Sequence, residues 1–143
     1  MENVHFYNTT VTWKEGRVGE ISEPTLPTIS VATPPQFPKG VPNIWSPEHL
    51  FVAAANVCLM TTFLSISEFS KLNFISYEAD AIGKLEKIEN KFIISEIEIT
   101  AKVKVTKEED VEKADRLLHK SEANCLISNS MKTKVHLKTE ITF

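Results

Sequence analysis

Cysteine is scarce in this chain: there are two among 143 residues, Cys58 and Cys125. They lie far apart, so they form no CxxC redox motif. Two thiols and four scattered histidines (His5, His49, His119 and His136) do not supply the roughly four closely spaced ligands of a zinc site, and no metal is expected. Basic charge is not in excess either. Sixteen lysines and arginines stand against nineteen aspartates and glutamates, a net charge of −3. That excludes the basic footprint of a nucleic-acid binder, and the lysines are spread among glutamates rather than gathered into a membrane-attracting block. The start, "MENVHFYNTTVTW", lacks basic residues followed by an apolar run, so no signal peptide is expected. No run reaches the roughly 18 uninterrupted apolar residues of a membrane span, because Asn56, Thr61, Thr62, Ser65 and Ser67 break the longest one. Internal repeats and low-complexity tracts are absent. The expectation is a cytoplasmic protein without nucleic-acid or membrane partners. In that setting two cysteines are free, redox-active or metal-binding rather than a structural disulfide.

What is present reads as one globular domain over 1–143. The composition is 42% hydrophobic and 24% charged, which is ordinary for a soluble fold large enough to bury its own core. Residues 3–13 are aromatic and β-branched and predict a strand, with Gly16 and Gly19 allowing a turn. "TLPTISVAT" predicts another strand or an edge, limited by Pro27. The proline-rich 34–42 segment predicts a loop of about ten residues, long enough to carry a role.

Ser46-Pro47-Glu48 is a helix start: a capping serine, a proline suited to the first turn and a carboxylate facing the positive end of the dipole. The helix is expected to run to about Ser70. Its middle, Leu50 to Leu59, is apolar on nearly every side, which predicts burial all round. A chain of this size has little material to surround such a helix, so a second subunit is expected to cover part of it. Residues 74–105 predict a hairpin turning within 85–91. Its second strand puts Ile97, Ile99, Ala101, Val103 and Val105 on one face. Thr106 and Glu109 form a capping-box pattern for a second helix, with Val111, Ala114, Leu117, Leu118 and Ser121 inward. The last strand alternates Val135, Leu137, Ile141 and Phe143. This order indicates an α+β fold with antiparallel sheets.

Local chemistry leaves the cysteines open. Cysteine often packs as a small apolar residue, and Cys58 sits in the most apolar stretch, "WSPEHLFVAAANVCLMTTFL". Cys125 follows the second helix and could sit at the start of a short one, where backbone N–H groups favour a thiolate. Glu48 has a simple role in the first helical turn, and Arg17 is by default a solvated turn residue. Trp45 and Phe51 could wall an apolar pocket or belong to the core, and His49 is expected to be exposed.

Two blocks together, "WSPEHLFVAAANVC" and "EANCLISNSMKTKVHLKTEI", resemble the OsmC/Ohr family of thiol-dependent peroxidases. That family has a SPE or NPE helix start, an alanine-rich stretch ending in cysteine, and a second cysteine after an amphipathic helix. The proline usual after the second cysteine is Leu126 here, and "KEGRVG" stands where one branch has "GGRDGR". The resemblance implies an OsmC-like fold with a long buried central helix, as an intertwined homodimer with two active sites at its interface. It implies that Cys58 is peroxidatic and becomes a sulfenic acid. Cys125 is then the resolving cysteine, and an external dithiol, of dihydrolipoyl type, restores both. No bound cofactor is implied. Glu48 matches the helix-start glutamate that holds an arginine beside the thiol, with Arg17 the candidate arginine. A pocket of Trp45, Phe51 and Phe37 would favour organic hydroperoxides. Two other readings are a non-catalytic protein binding a small ligand at the apolar dimer interface, and a hydrolase working through a Cys–His pair.

Overall fold

The glycine at position 16 adopts a positive φ of 52°, a conformation that costs glycine little. It turns β1 (Thr10–Glu15) into β2 (Val18–Glu23), and β3 (Leu26–Ala32) follows, giving an antiparallel sheet in the order β1-β2-β3. The computed structural model describes residues 3–143. The expected strand over 3–13 is ordered as a ladder only from Thr10. Phe6 and Tyr7 pair with no strand and are exposed. The chain divides into two compact units, one ending at Leu50 and the other spanning Phe51–Phe143.

In the first unit the proline-rich loop returns to the sheet: the Ala32 N–H donates to the Trp45 carbonyl at 2.9 Å, and Val41 N–H to Thr33 at 2.9 Å. The buried Ser46 then caps α1 (Pro47–Phe69), its Oγ accepting the His49 N–H at 3.1 Å. At the far end Leu72 N–H reaches back to the Ser67 carbonyl at 2.9 Å and Lys71 N–H to that of Glu68 at 3.2 Å. Lys71 takes a left-handed φ of 57°. This is a Schellman ending with a lysine where glycine is usual.

The second unit is built on a long hairpin, β4 (Phe74–Ile88) and β5 (Lys91–Val105), turning at Glu89-Asn90 inside the expected 85–91 segment. β6 (Lys134–Thr142) completes the sheet. It runs parallel to β5, whereas antiparallel pairing was expected throughout. The reason is the connection: α2 (Val111–Ala123) and α3 (Leu126–Asn129) form a crossover that brings the chain back to start β6 in the direction of β5. The capping-box prediction falls short. Glu109 lies within a single 3₁₀ turn, Glu108–Asp110, and α2 starts only at Val111 with no side-chain cap.

The alternation read from sequence forms the core. Ile97, Ile99, Ala101, Val103 and Val105 of β5 pack with Ala55, Leu59 and Phe63 of α1 and Ala114, Leu117 and Leu118 of α2. Burying each large side chain contributes roughly 1.5–3 kcal/mol. Asn56 ties α1 to β4, its Nδ2 donating to the Ala79 carbonyl at 3.1 Å. By length and composition α1 is apolar enough to cross a membrane: over such a window its scattered polar residues do not outweigh the apolar ones. A packed core helix passes the same test, and α1 lays one stripe, Ala55, Leu59, Phe63 and Ser67, into the core. It is not buried all round, since Val57, Leu64 and Phe69 remain exposed. One sheet and one neighbouring helix cannot enclose all faces of a helix.

Candidate active site

Cys58 lies at mid-helix in α1, where the backbone N–H groups are already bonded within the helix. What reaches its sulfur comes from outside the helix and from one turn along it. The Cys125 thiol, the backbone N–H groups of Ile127 and Leu126, and the Thr62 hydroxyl all act on its acidity. Thr62 Oγ1 stands 3.9 Å from Sγ, four residues on and therefore on the same helix face. Both cysteines are free. Cys58 is partly exposed, and Cys125 is fully buried.

This arrangement separates the two thiols electrostatically. Burial pushes the Cys58 thiol up, but the bonds from Cys125, Ile127, Thr62 and Leu126 favour its charged form and bring it below the ordinary thiol value. Cys125 moves the other way. Burial raises it, and donation to Cys58 raises it further, against an opposing pull from Ser128. The partly exposed thiol is thus the more acidic of the two and the buried one the less acidic. The local geometry that achieves this is short. Cys125 occupies the position before α3 in an extended conformation, so the first N–H groups of that helix follow directly after it.

Three further groups surround Cys125. Glu122, at the end of α2, has its carboxyl raised by burial, with Ser128 opposing. Tyr77 of β4 has its phenol pushed up to about 12 by burial and by the negative charges of Glu122 and Cys125. Glu122 Oε2, Ser128 Oγ and Tyr77 Oη are buried and meet no partner at hydrogen-bond geometry. Ser128 is close enough to Glu122 and Cys125 to act on both, yet stands short of a formed bond. Sequence reading missed Thr62, Glu122 and Tyr77. The i+4 spacing of Thr62 from Cys58 was the one available signal. The Glu122-x-x-Cys125-x-x-Ser128 spacing acquires meaning only once the chain turns there. Among the described residues, none of the groups that shift the Cys58 thiol is an imidazole. Among the described residues no cluster of histidine, cysteine and carboxylate side chains could hold a metal ion.

In the first unit, Arg17 and Glu48 line one cavity of about 360 Å³ with Thr33, Pro34, Phe37, Pro38 and Pro47. The two share the cavity without forming an ion pair among the described residues, and Glu48 Oε1 is buried without a partner. The three aromatic residues expected to form one pocket are distributed over three cavities. Phe37 lines the one with Arg17. Trp45 lines another, of about 410 Å³, beside His49, with which it makes an edge-on ring contact. Phe51 lines a cavity of about 760 Å³ with Ile93, Ile94 and Met131 in the second unit. Phe37 stands on the loop and Trp45 at the helix entry of the first unit, and Phe51 stands one turn along the helix in the second.

The family model of the OsmC-like protein matches residues 40–140, a span that includes Glu48, Cys58 and Cys125. The chain belongs to the OsmC-like family. Solved structures agree over nearly the whole length. An OsmC-like protein of unknown function from Vibrio cholerae O1 biovar eltor is 26% identical, with a TM-score of 0.85 over 96% of this chain and 99% of the other. An organic hydroperoxide resistance protein from Elizabethkingia anophelis is 21% identical, with a TM-score of 0.74 over 96% and 97%. One from Legionella pneumophila is 20% identical, with a TM-score of 0.71 over 98% and 100%. No curated protein matches significantly. Arg17 and Phe37 of this OsmC-like protein lie outside the matched span.

Proposed function

We propose that this OsmC-like protein is a cysteine-based peroxidase that reduces organic hydroperoxides to alcohols. The observation that carries the reading is that the Cys58 thiol lies below its ordinary value because, against burial, the Cys125 thiol and the Ile127 and Leu126 N–H groups favour its charged form. That favours a partly exposed thiolate with a second thiol acting on it. The Cys58 thiolate attacks the peroxide oxygen, the O–O bond breaks, and the alkoxide leaves with a proton as the alcohol. Cys58 is left as a sulfenic acid, and Cys125 condenses with it to a disulfide, releasing water. An external dithiol of the dihydrolipoyl kind then restores both thiols by exchange, which suits a reducing cytoplasm. Structural relatives named as organic hydroperoxide resistance proteins support the substrate class.

The roles of Arg17, which would orient the peroxide, and of Glu48, which would hold the arginine, rest on the family resemblance. The cavity the two share supports the nearness of Glu48 to Arg17. The homodimer is supported by the apolar face of α1 left uncovered, with Val57 at 53%, Leu64 at 41% and Phe69 at 90% exposure. The test is intact mass after brief exposure to one equivalent of cumene hydroperoxide without reductant. The expected result is the loss of two hydrogens per chain, mapped to a Cys58–Cys125 bridge and absent in Cys58→Ser. An unchanged native mass refutes the peroxidase and favours a ligand-binding role for the same scaffold.

A further inference from the structure

Cys125 must lose a proton to form the disulfide, and it is fully buried, so bulk water cannot collect that proton directly. What surrounds it is a group of polar atoms with unused hydrogen-bonding capacity. Glu122 Oε2, Ser128 Oγ and Tyr77 Oη are each buried without a partner. Orphaned buried polar atoms destabilise a fold, so their presence beside a reactive thiol calls for an explanation. They sit together because the chain turns tightly at the end of α2: the Cys125 N–H donates to the Glu122 carbonyl at 3.1 Å and the Asn129 N–H to the Cys125 carbonyl at 3.0 Å. Glu122, Cys125 and Ser128 are thereby spaced by three along this turn.

We propose that Glu122, acting through the Ser128 hydroxyl, accepts the proton of Cys125 as the Cys58–Cys125 disulfide forms. The proposal rests on the peroxidase reading for its physiological oxidant, a hydroperoxide. Cys58 from α1 acts on Cys125 directly, Cys125 acts on Tyr77 from β4, and Glu122 from α2 is reached through Ser128, which acts on both. Tyr77 holds its own proton up to about pH 12 and is no acceptor at neutral pH. Cys58 at this stage carries the sulfenic oxygen. Glu122 is the remaining base, and burial has raised its carboxyl above the ordinary value, which narrows the gap to a thiol. Ser128 acts on both Cys125 and Glu122, and a hydroxyl can accept one proton while donating another.

The step balances. The Cys125 proton passes to Ser128 as the Ser128 proton passes to Glu122. The Cys125 sulfur pair forms the S–S bond, the Cys58 S–O bond breaks, and the departing hydroxide takes the Glu122 proton as water. Glu122 ends as it began, and the sum is a sulfenic acid plus a thiol giving a disulfide plus water.

Two assays on the full chain test it, with Glu122→Gln, Ser128→Ala and Glu122→Asp beside native. In the first, one equivalent of cumene hydroperoxide is added, samples are quenched with dimedone, and trapped sulfenic acid and disulfide are read by intact mass. In the second, 2,2′-dithiodipyridine replaces the peroxide. Its first thiopyridone release reports attack by Cys58. The second release reports attack by Cys125 on the mixed disulfide, which needs the same deprotonation and no peroxide. The expected result is a native first phase with a second phase slowed at least about tenfold in Glu122→Gln and Ser128→Ala at pH 7. The deficit should close as pH rises far enough to ionise Cys125 unaided, and Glu122→Asp should recover part of the rate. A native second phase in Glu122→Gln, or a slowing that does not change with pH, overturns the relay. A native chain that forms no sulfenic acid with peroxide defeats the peroxidase reading, while the thiopyridone assay still decides the relay.

Discussion

Replacing Cys125 by alanine removes the leading hydrogen bond that favours the Cys58 thiolate. Hydrogen bonds to charged groups contribute about 1.5–3 kcal/mol. A thiol is a weak donor, and Cys58 is partly exposed, so about 1 kcal/mol is the appropriate figure. That is roughly fivefold in the thiolate-to-thiol ratio, since about 1.4 kcal/mol is tenfold. Reactivity does not follow the thiolate fraction alone, because a more basic thiolate is intrinsically more nucleophilic, with a Brønsted slope of about 0.4–0.5. The two effects combine into a crossing. At neutral pH the variant should react about two- to threefold more slowly with a neutral disulfide probe. At pH high enough to ionise Cys58 fully it should react about twofold faster. The sign follows from the lowered native value: Cys125 helps the thiolate only where protonation competes. The assay is the rate of probe release across pH, with modification mapped to Cys58. Cys125→Ser keeps a hydroxyl donor and should track native. A Cys125→Ala profile that superimposes on native at every pH would refute the claim that Cys125 activates Cys58.

Three further outcomes test the scaffold. Phe63 is fully buried, with ring centroids 5.4 Å from Phe74 and 5.6 Å from Tyr77; Phe63→Ala should cost about 3–5 kcal/mol in chemical denaturation. A Cβ at Gly83 would collide with the Val52 side chain across the α1–β4 contact. Gly83→Ala should therefore lose about 1–3 kcal/mol of stability, and Val52→Ala should restore part of it in the double variant. Tyr77 is pushed up to about 12 in the folded protein against about 10 unfolded. Its contribution to stability is thus fully present below pH 10 and lost as pH rises toward 12, and Tyr77→Phe should flatten that loss in alkaline denaturation curves.

Patterns with a local cause were legible in the sequence. Ser46-Pro47 marked the start of α1 because capping and a proline-compatible first turn are decided by adjacent residues. The alternation from Ile97 to Val105 marked β5 because a pleat has period two. The α2 stripe and the helix after Cys125 followed in the same way, and the two cysteine blocks carried the family. The start of α2 was misjudged because Thr106-x-x-Glu109 satisfies the capping pattern, while the chain spends those residues on a 3₁₀ turn.

Pairing direction, partial burial and the company of each thiol were decided only by tertiary structure. β6 lies parallel to β5 because of where the crossover delivers it, which no residue of β6 encodes. α1 is apolar nearly all round by sequence, yet one chain covers a single stripe of it, since coverage depends on what else is packed nearby. Cys58 and Cys125 carry the same side chain and begin with the same intrinsic acidity. Their opposite shifts arise from burial, from the action of each thiol on the other and from groups contributed by α3 and Thr62. Solvation and hydrogen bonding depend on distances in space, and sequence separation does not report them.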